Sequence, residues 1–326
     1  MLKIGVLGAG HLGKIHLKCI QQAAETYHLA GFYDPNADAA RQVSDSLGIP
    51  CFESAEALMD AVDVVDIVTP TVYHYELAVL AIQKGKHLFI EKPLTHTLAQ
   101  ADDLVRLSRE KGVQVQVGHV ERFNPALLAL EDMVLQPMFI EAHRLAAFNP
   151  RGTDVSVILD LMIHDIDIIL SMVRSEIKTV NASGVAVVSE TPDIANARIE
   201  FKNGCVANLT ASRISLKQMR KVRLFQKDAY VSLDFLEKKA QVIRLYEKAA
   251  PNLPADANLL ELPTASGEKL LHIHAPEIEQ VNAIRMELET FAHSIETGTT
   301  PRVSIIDGYE ALKLAYQIID EIEQKG

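Results

Sequence analysis

Residues 3–13, KIGVLGAGHLG, decide the fold of this chain, because they join a short apolar strand to a glycine-rich turn. Lys3 to Leu7 predicts a buried β-strand, and a helix follows the turn. In a dinucleotide-binding unit the first glycine permits the tight turn and the second admits a pyrophosphate. The third lets the helix pack against the strand, and the amides at the helix N-terminus face the phosphates. The spacing predicts dinucleotide contacts from Gly8, Gly10, His11, Leu12 and Gly13.

An acidic residue follows the next predicted strand. The apolar run Leu29 to Tyr33 ends in Asp34, where a carboxylate can accept hydrogen bonds from an adenosine ribose. A carboxylate there repels a 2′-phosphate, so the sequence favours NAD over NADP. Gly8 to Lys14 also fits the start of a P-loop, but that motif then needs Ser or Thr to hold Mg²⁺. Ile15 occupies that position, which excludes a P-loop NTPase.

Composition narrows the class of protein. The chain has 326 residues, enough for two domains, and a net charge of −11, which disfavours nucleic acid as a partner. No apolar run reaches the length of a membrane span, and the first strand lacks the flanks of a secretory signal. Three cysteines, an odd and scattered number, indicate free thiols in a reducing compartment. We expect a cytoplasmic protein without nucleic-acid or membrane partners.

The order of predicted elements indicates two domains. Up to residue 118, strands alternate with helices, which predicts a doubly wound parallel sheet of the Rossmann type. The predicted strands are 3–7, 29–33, 64–68, 87–90 and 113–117, and the helices are 12–24, 36–47, 74–84 and 97–111.

The second half of the chain has a different pattern. Helical stretches at 122–135 and 155–173 precede six β-rich runs between 177 and 246, which predict a large, open, mostly antiparallel sheet. Residues 250–270 resemble a loop, and two helices follow near 276–297 and 307–324. We therefore predict an NAD-binding domain at 1–120 and an α+β domain for substrate binding and oligomerisation at 121–326. The last helix is expected to pack back on the N-terminal domain.

The helix predicted at 155–173 carries a polar stripe within an otherwise apolar sequence. Asp160, His164 and Asp167 follow at i, i+4 and i+7, which places them on one side of an α-helix. Polar groups on a buried helix must be satisfied by partners or face a ligand. Two interpretations stay open, a structural network or a catalytic group. Asp165 points away from this stripe and is expected at a surface or an interface.

Polar residues also follow the later strands of the predicted parallel sheet, where ligands of such folds bind. Glu91-Lys92-Pro93 would place Lys92 near the reactive end of the cofactor, where an ammonium group can hydrogen-bond a substrate hydroxyl and lower its pKa. A solvated lysine is the ordinary alternative. We expect cofactor contacts from Thr69, Pro70, His74, Glu91 and Lys92.

Together these motifs resemble the glucose–fructose oxidoreductase / inositol dehydrogenase / rhizopine catabolism (Gfo/Idh/MocA) family. The matching pieces run in family order along nearly the whole chain. They are the glycine fingerprint with His16, Thr69-Pro70 with His74, Glu91-Lys92-Pro93-Leu94, Arg122-Phe123-Asn124-Pro125, Asp160 with His164 and Asp167, and Asp307-Gly308.

The resemblance implies a dehydrogenase that oxidises a sugar or polyol hydroxyl by hydride transfer to the nicotinamide. It implies His164 as general base, Lys92 polarising the hydroxyl, and Asp160 positioning His164 or binding a neighbouring hydroxyl. His119, Arg122 and Asn124 are expected to contact substrate, together with Asp160 and His164. Asn124-Pro125 can equally begin a helix, with Asn as the cap.

One region departs from the common family pattern and narrows the substrate. Many members have glycines before and within the Asp-x-x-x-His helix, whereas this chain has residues 155–158 as VSVI and Met162. The segments 118–125 and 159–167 resemble a branch that includes UDP-N-acetylglucosamine 3-dehydrogenases. This predicts oxidation at C3 of a UDP-N-acetylhexosamine. An inositol or monosaccharide dehydrogenase and a non-catalytic NAD(H)-sensing regulator are the alternatives.

Three further expectations concern charge and assembly. Arg144, Arg213 and Lys217 are candidates for contacts with a substrate diphosphate, since arginine binds such groups in a bidentate manner. His272-Ile-His274 places two imidazoles on one face of a strand, but no third ligand accompanies them, so we predict no metal. The open face of the predicted sheet should bind a second copy of the chain, giving a homodimer or homotetramer.

Overall fold

A computed structural model describes residues 1–149, 155–248, 253, 259–264 and 267–325. The chain forms two compact units, each with one β-sheet. The first contains Met1–Phe123 and Asn282–Lys313, and the second contains Asn124–Val281 and Leu314–Gly326. The first unit therefore includes a segment from near the end of the chain.

The first unit contains a five-stranded parallel sheet, which confirms the predicted fold class. Its strands are β1 (Leu2–Leu7), β2 (Tyr27–Tyr33), β3 (Val64–Ile67), β4 (His87–Glu91) and β5 (Val115–Gly118), in the order β2-β1-β3-β4-β5. The intervening helices are α1 (His11–Gln22), α2 (Ala37–Leu47), α3 (Ala55–Ala61), α4 (His74–Gln83) and α5 (Leu98–Lys111). Because β2 and β3 lie on opposite sides of β1, the chain reverses direction there, and such switch points bind ligands.

Side-chain caps explain where several of these helices begin. Asn36 and Ser54 accept amides at the starts of α2 and α3, and Thr97 forms a capping box with Gln100 at the start of α5. Helix α3 was absent from the sequence prediction, since its seven residues are too few to show a clear period.

The second unit contains a nine-stranded sheet, and the prediction of a large, mostly antiparallel sheet is confirmed. Its order is β13-β14-β12-β11-β10-β6-β9-β8-β7, and β6 with β9 is its parallel pair. The strands are β6 (Phe139–Leu145), β7 (Ile177–Val185), β8 (Ile194–Phe201), β9 (Val206–Ser212), β10 (Met219–Phe225), β11 (Ala229–Asp234), β12 (Lys239–Glu247), β13 (Leu259–Thr264) and β14 (Gly267–His274).

The structure differs from the prediction in four places in this half of the chain. Strand β6 was missed. Of the predicted loop at 250–270, residues 250–252, 254–258 and 265–266 lie outside the described residues, and the described part contains β13 and the start of β14, which pair as a hairpin. The predicted helix at 122–135 is a 3₁₀ turn, Val120–Phe123, followed by the four-residue helix α6, Pro125–Leu128. The predicted helix at 155–173 is a π-helical turn, Ile158–Met162, that continues as α7, Ile163–Met172.

Two long helices follow the second sheet. In α8 (Ala283–Thr297), Leu288 and Phe291 join the apolar core of the first unit. The ring of Phe291 packs edge-on against Phe89, with 6.4 Å between the ring centroids. Helix α9 (Ile305–Glu323) crosses the boundary that divides the two units. Among the described residues, no helix is both long and apolar enough to span a membrane.

Candidate active site

The glycine turn after β1 has the shape that a bound pyrophosphate requires. Gly8 has φ +96°, and a Cβ there would lie 2.8 Å from the carbonyl oxygen of Val68. A Cβ on Gly13 would overlap the carbonyl of Gly8, which shows how closely α1 packs on the turn. A Cβ on Gly10 would meet nothing within 4 Å, so the backbone there is open to approach. These glycines therefore fit the dinucleotide fingerprint.

Asp34 ties the glycine turn to the end of β2. Its Oδ2 accepts the amide of Ala9 at 2.8 Å, and its Oδ1 accepts the amide of Asn36 at 2.9 Å. A carboxylate has about four lone-pair sites, so both oxygens can accept further hydrogen bonds from a ribose. The sequence predicted that Asp34 binds a ribose, but it gave no sign that Asp34 also holds the glycine turn.

His74 connects the loops that follow β3 and β4. Its Nε2 lies 2.9 Å from the carbonyl oxygen of Thr69, and its Nδ1 lies 3.0 Å from that of Pro93. Burial lowers the pKa of His74, against the effect of the two carbonyls, so the ring is neutral and donates to one of them. Both ring nitrogens face protein backbone, and the peptide bond between Lys92 and Pro93 is cis.

A buried carboxylate sits directly before Lys92. Glu91 Oε2 accepts the amide of Lys92 at 3.1 Å, and Glu91 Oε1 lies 3.2 Å from Nε2 of His16. On the far side of the imidazole, Nδ1 of His16 lies 2.9 Å from Oδ2 of Asp66. A Cβ on Gly118 would come within 2.8 Å of Glu91 Oε1, so the strand next to β4 needs glycine there.

Electrostatics favour the charged forms of His16 and Glu91, whereas burial raises the pKa of Asp66. Burial disfavours the charged form of His16, but the Asp66 and Glu91 carboxylates outweigh it and raise its pKa well above the ordinary value. Burial also opposes ionisation of Glu91, yet the His16 imidazolium holds the Glu91 pKa below its usual range. The sequence analysis missed Asp66, whose only signal is an acid within the otherwise apolar β3.

Several residues that follow β5 are buried or make contacts within the protein. His119 is buried, and Nη2 of Arg122 lies 3.4 Å from Oδ1 of Asp307. Asn124 caps α6 by accepting the amide of Ala126 at 3.1 Å, and its Nδ2 donates to the carbonyl of Phe235 at 3.0 Å. The capping interpretation of Asn124 is thus confirmed, with Pro125 at the first helical turn.

The residues expected to carry acid–base chemistry lie at a break in helix geometry. Asp160 falls within the π-helical turn, and His164 lies in the first turn of α7. Both side chains are half-buried, whereas Asp167 is 1% exposed. π-helical turns are rare and recur at functional sites, because the extra residue re-aims the side chains that follow. Asp160 and His164 therefore share access that Asp167 lacks.

The structure changes the interpretation of Asp165 and of Arg144 and Arg213, the two arginines considered for binding a diphosphate. Asp165, expected at a surface, is 3% exposed and accepts Nε and Nη2 of Arg144 at 3.0 and 2.8 Å. Arg213 is also buried, with Nε 3.1 Å from Oδ1 of Asp193. Both guanidinium groups are thus engaged by carboxylates in the protein interior, which argues against their binding a diphosphate.

Within the part of the chain that the structure describes, no group of three or more His, Cys, Asp or Glu side chains is placed to hold a metal ion.

The parallel sheet, its glycine turn and the acid at the end of β2 define a dinucleotide-binding oxidoreductase. Comparison with known proteins agrees. The model of an oxidoreductase family with an NAD-binding Rossmann fold matches residues 2–119, and the model of the GFO/IDH/MocA C-terminal domain matches residues 139–229.

Individual relatives match over most or nearly all of the chain. UDP-N-acetylglucosamine 3-dehydrogenase of Acidithiobacillus ferrooxidans is 36% identical over 323 residues, which cover 99% of this chain and 97% of the relative. A solved structure of that enzyme, GnnA, has a TM-score of 0.88 at 35% identity, covering 99% and 98% of the two chains. The scyllo-inositol 2-dehydrogenase (NAD(+)) of Bacillus subtilis is 30% identical over 66% of this chain and 68% of its own.

The chain therefore belongs to the Gfo/Idh/MocA oxidoreductase family, and the resemblance inferred from its motifs is confirmed. It is an NAD-dependent oxidoreductase.

Proposed function

We propose that this enzyme oxidises a sugar hydroxyl, and specifically the C3 hydroxyl of a UDP-N-acetylhexosamine, to a ketone. The observation that carries the proposal is the full-length similarity to UDP-N-acetylglucosamine 3-dehydrogenase, at 36% identity. The altered residues before and within the Asp160 helix, described above, also support this branch of the family.

The chain holds NAD through its own backbone and a few side chains. The amides at the start of α1, with Gly8, Gly10 and Gly13, receive the pyrophosphate, and Asp34 accepts the ribose hydroxyls. Thr69, Pro70 and Glu91 belong to the strand ends that surround the nicotinamide half. When bound, NAD supplies the hydride acceptor for the substrate carbon.

We infer that His74 acts by holding two loops of the cofactor site. Its ring nitrogens face the carbonyls of Thr69 and Pro93, so we assign it the positioning of these two loops. The Lys92 loop is thereby held on one side by His74 and on the other by Glu91.

Three side chains supply the remaining chemistry. Nζ of Lys92 donates a hydrogen bond to the reacting hydroxyl and lowers its pKa. An imidazole nitrogen of His164 accepts the hydroxyl proton as general base. Asp160, one helical turn away, orients His164 or binds a neighbouring hydroxyl. His119, Arg122 and Asn124 are the further candidates for substrate contacts.

NAD⁺ reduction by the purified enzyme tests this function. The substrates are UDP-N-acetylglucosamine, UDP-glucose, N-acetylglucosamine, glucose and myo-inositol, each with a ketone trap because alcohol oxidation by NAD⁺ is uphill near neutral pH. Turnover of the UDP-N-acetyl sugar far above the free sugars supports the proposal. Preference for myo-inositol contradicts the nucleotide-sugar assignment and favours the second candidate, which the inositol dehydrogenase relative suggests. Tight NADH binding without any turnover favours the NAD(H)-sensing regulator.

The nine-stranded sheet supports the proposed assembly. Its open face carries a row of apolar side chains that are direct cross-strand neighbours: Phe139, Phe225, Tyr230, Ile243 and Ile273. The rings of Phe139 and Phe225 lie 6.0 Å apart, and Phe225 and Ile273 are 39% and 46% exposed. An apolar row of this kind fits an identical row on a second copy, so we infer a homodimer or homotetramer.

The thiols agree with the expected location. Cys19, Cys51 and Cys205 are all free. Because unpaired cysteines are typical of reducing compartments, we infer that the enzyme is cytoplasmic.

A further inference from the structure

One buried cluster in the first unit contains more acid than its single base, His16, can balance. Four ionisable side chains converge from four elements: His16 from α1, Asp66 from β3, Glu91 from β4 and Glu287 from α8. Glu91 is 7% exposed and the other three are 0% exposed. With all three acids and His16 ionised, this cluster would carry two uncompensated negative charges away from water, which is strongly unfavourable.

Glu287 differs from the other two acids in its contacts. Asp66 and Glu91 each lie beside a nitrogen of His16, whereas both side-chain oxygens of Glu287 are buried without a hydrogen-bond partner among the described residues. The backbone carbonyl of Glu287 accepts Nε2 of Gln116 at 2.6 Å, which fixes this turn of α8 against β5. The side chain is thus held inside without a cation of its own.

Apart from His16 on α1, the elements around α8 bring no cation that acts on Glu287 in the described chain. From α1 and β2 come Cys19 and Tyr27, and the phenol of Tyr27 donates to the carbonyl of Leu288 at 2.9 Å. The 3₁₀ turn after β5 brings Glu121 and Arg122, and Arg122 pairs with Asp307. The ammonium group nearest to the cluster in sequence is that of Lys92, which follows Glu91.

Titration of the cluster follows from this geometry. Burial, with the nearby Glu91 and Asp66 carboxylates, raises the pKa of Glu287 well above its ordinary value, and His16 opposes this only in part. The pKa of Glu91 is lowered instead. Of the three acids near one imidazolium, Glu287 and Glu91 diverge most clearly, Glu287 keeping a proton and Glu91 its charge, while burial also raises the pKa of Asp66.

We propose that Glu287 is a positioning residue that stays a neutral carboxylic acid at physiological pH and thereby keeps Glu91 ionised. The Glu91 carboxylate can then hold both the His16 imidazolium and the amide of Lys92. The link to catalysis rests on the proposed role of Lys92, whereas the neutral state of Glu287 does not.

Infrared spectroscopy tests the neutral state directly. Wild type in deuterated buffer at pH 7 should show the carbonyl stretch of a protonated carboxyl group, which Glu287→Gln removes. Glu296→Gln is the matched control, because it makes the same change at an exposed position of the same helix and should keep the band. Absence of the band from wild type, or its persistence in Glu287→Gln, overturns the proposal.

Stability against pH gives a second, independent readout. A buried acid with a raised pKa costs stability as pH rises above about 4.3, because the unfolded chain ionises there and the folded one does not. The Tm of Glu287→Gln relative to wild type should therefore rise steadily between pH 5 and pH 8. A difference that does not change with pH shows an ordinary, ionised Glu287. His16 is present in both proteins, so its own titration cancels.

Kinetics test the positioning role. A neutral amide of the same shape should replace the acid, so Glu287→Gln should keep kcat within about threefold at pH 7, and Glu287→Ala should lose more. Loss of activity in Glu287→Gln, with NADH binding and Tm retained, contradicts positioning by a neutral group. Lys92→Met separates the two proposals: if it leaves kcat unchanged, the proposed function fails while the infrared result on Glu287 still stands.

Discussion

The carboxylate of Asp34 accepts the amide of Ala9 at 2.8 Å, so the residue expected to bind the ribose also holds the phosphate-binding turn. One side chain thus couples the phosphate-binding turn to the expected ribose contact. A change at Asp34 should therefore alter cofactor affinity and cofactor choice together.

Asp34→Asn should weaken NADH binding about tenfold, or about 1.4 kcal/mol, since hydrogen bonds to a charged acceptor are the stronger kind. Removing the negative charge also removes repulsion of a 2′-phosphate, so NADPH should bind better than it does to wild type. Fluorescence titration with both cofactors measures each effect. Asp38→Asn, in the first turn of α2, is the control and should change neither. An unchanged NADH to NADPH ratio in Asp34→Asn would rule out the ribose contact.

The Arg144–Asp165 pair should contribute to stability and not to substrate affinity. Arg144→Met leaves the Asp165 carboxylate buried without its bidentate partner, which costs about 3–5 kcal/mol. Arg223→Met breaks a partly exposed pair with Glu141 nearby in the same sheet and should cost at most about 1 kcal/mol. Urea unfolding compares the two variants.

Replacing both partners of the buried pair distinguishes the two roles further. Arg144→Met with Asp165→Leu removes the orphaned charge and should recover much of the lost stability. If Arg144 binds the substrate diphosphate after all, this double variant will fold well and show a strongly raised KM for a UDP-sugar.

The first sheet was predictable because its signals are local and repeated. Each strand of the parallel sheet is a short apolar run, and the glycine turn shows in the sequence where β1 ends. The π-helical turn at Asp160 was not predictable, because one extra residue per turn leaves the apolar pattern almost unchanged. The burial of Asp165 was missed for a related reason: its partner, Arg144, lies on β6, and no local pattern connects them.

Three strands of the second sheet, β6, β13 and β14, were hard to predict from the sequence. β6 (FIEAHRL) alternates buried and half-buried residues, but its charges obscure the apolar face. The hairpin of β13 and β14 has few buried side chains, so its strands are defined by backbone pairing and not by apolar periodicity. The roles of Asp66 and Glu287 were not predictable for a similar reason. Only the fold brings these two acids close to His16, and no local pattern in the sequence connects them.

Removing either proposed catalytic group should lower kcat far more than it weakens cofactor binding. Lys92→Met and His164→Asn are each expected to reduce kcat by about 10²–10⁴-fold, the usual contribution of a positioned acid or base. The NADH Kd should stay within about twofold for His164→Asn, since His164 is not an expected cofactor contact, and should change somewhat more for Lys92→Met, since Lys92 is one. Steady-state kinetics with the best substrate of the panel, and NADH fluorescence, provide the two measurements.

Matched substitutions separate catalysis from general damage. Lys111→Met, at the exposed end of α5, and His143→Asn, on β6, should retain wild-type kcat. Because Lys92 and His164 are proposed to act in one transition state, the double variant should be far less impaired than the product of the two single effects. Fully multiplicative losses would indicate that they act in separate steps.

The apolar row on the open face of the nine-stranded sheet should control assembly. Phe225 lies between Phe139 and Tyr230 in that row, with ring distances of 6.0 and 5.0 Å. Phe225→Glu places a charge at its centre, and in a symmetric interface the same charge appears twice and repels itself. Light scattering after size exclusion should show an oligomer for wild type and a monomer for Phe225→Glu. Leu216→Glu, at a fully exposed position between β9 and β10, makes the same apolar-to-acidic change elsewhere and should stay oligomeric. A wild-type monomer, or an oligomer that tolerates the charge at Phe225, would show that a different surface, or none, joins the copies.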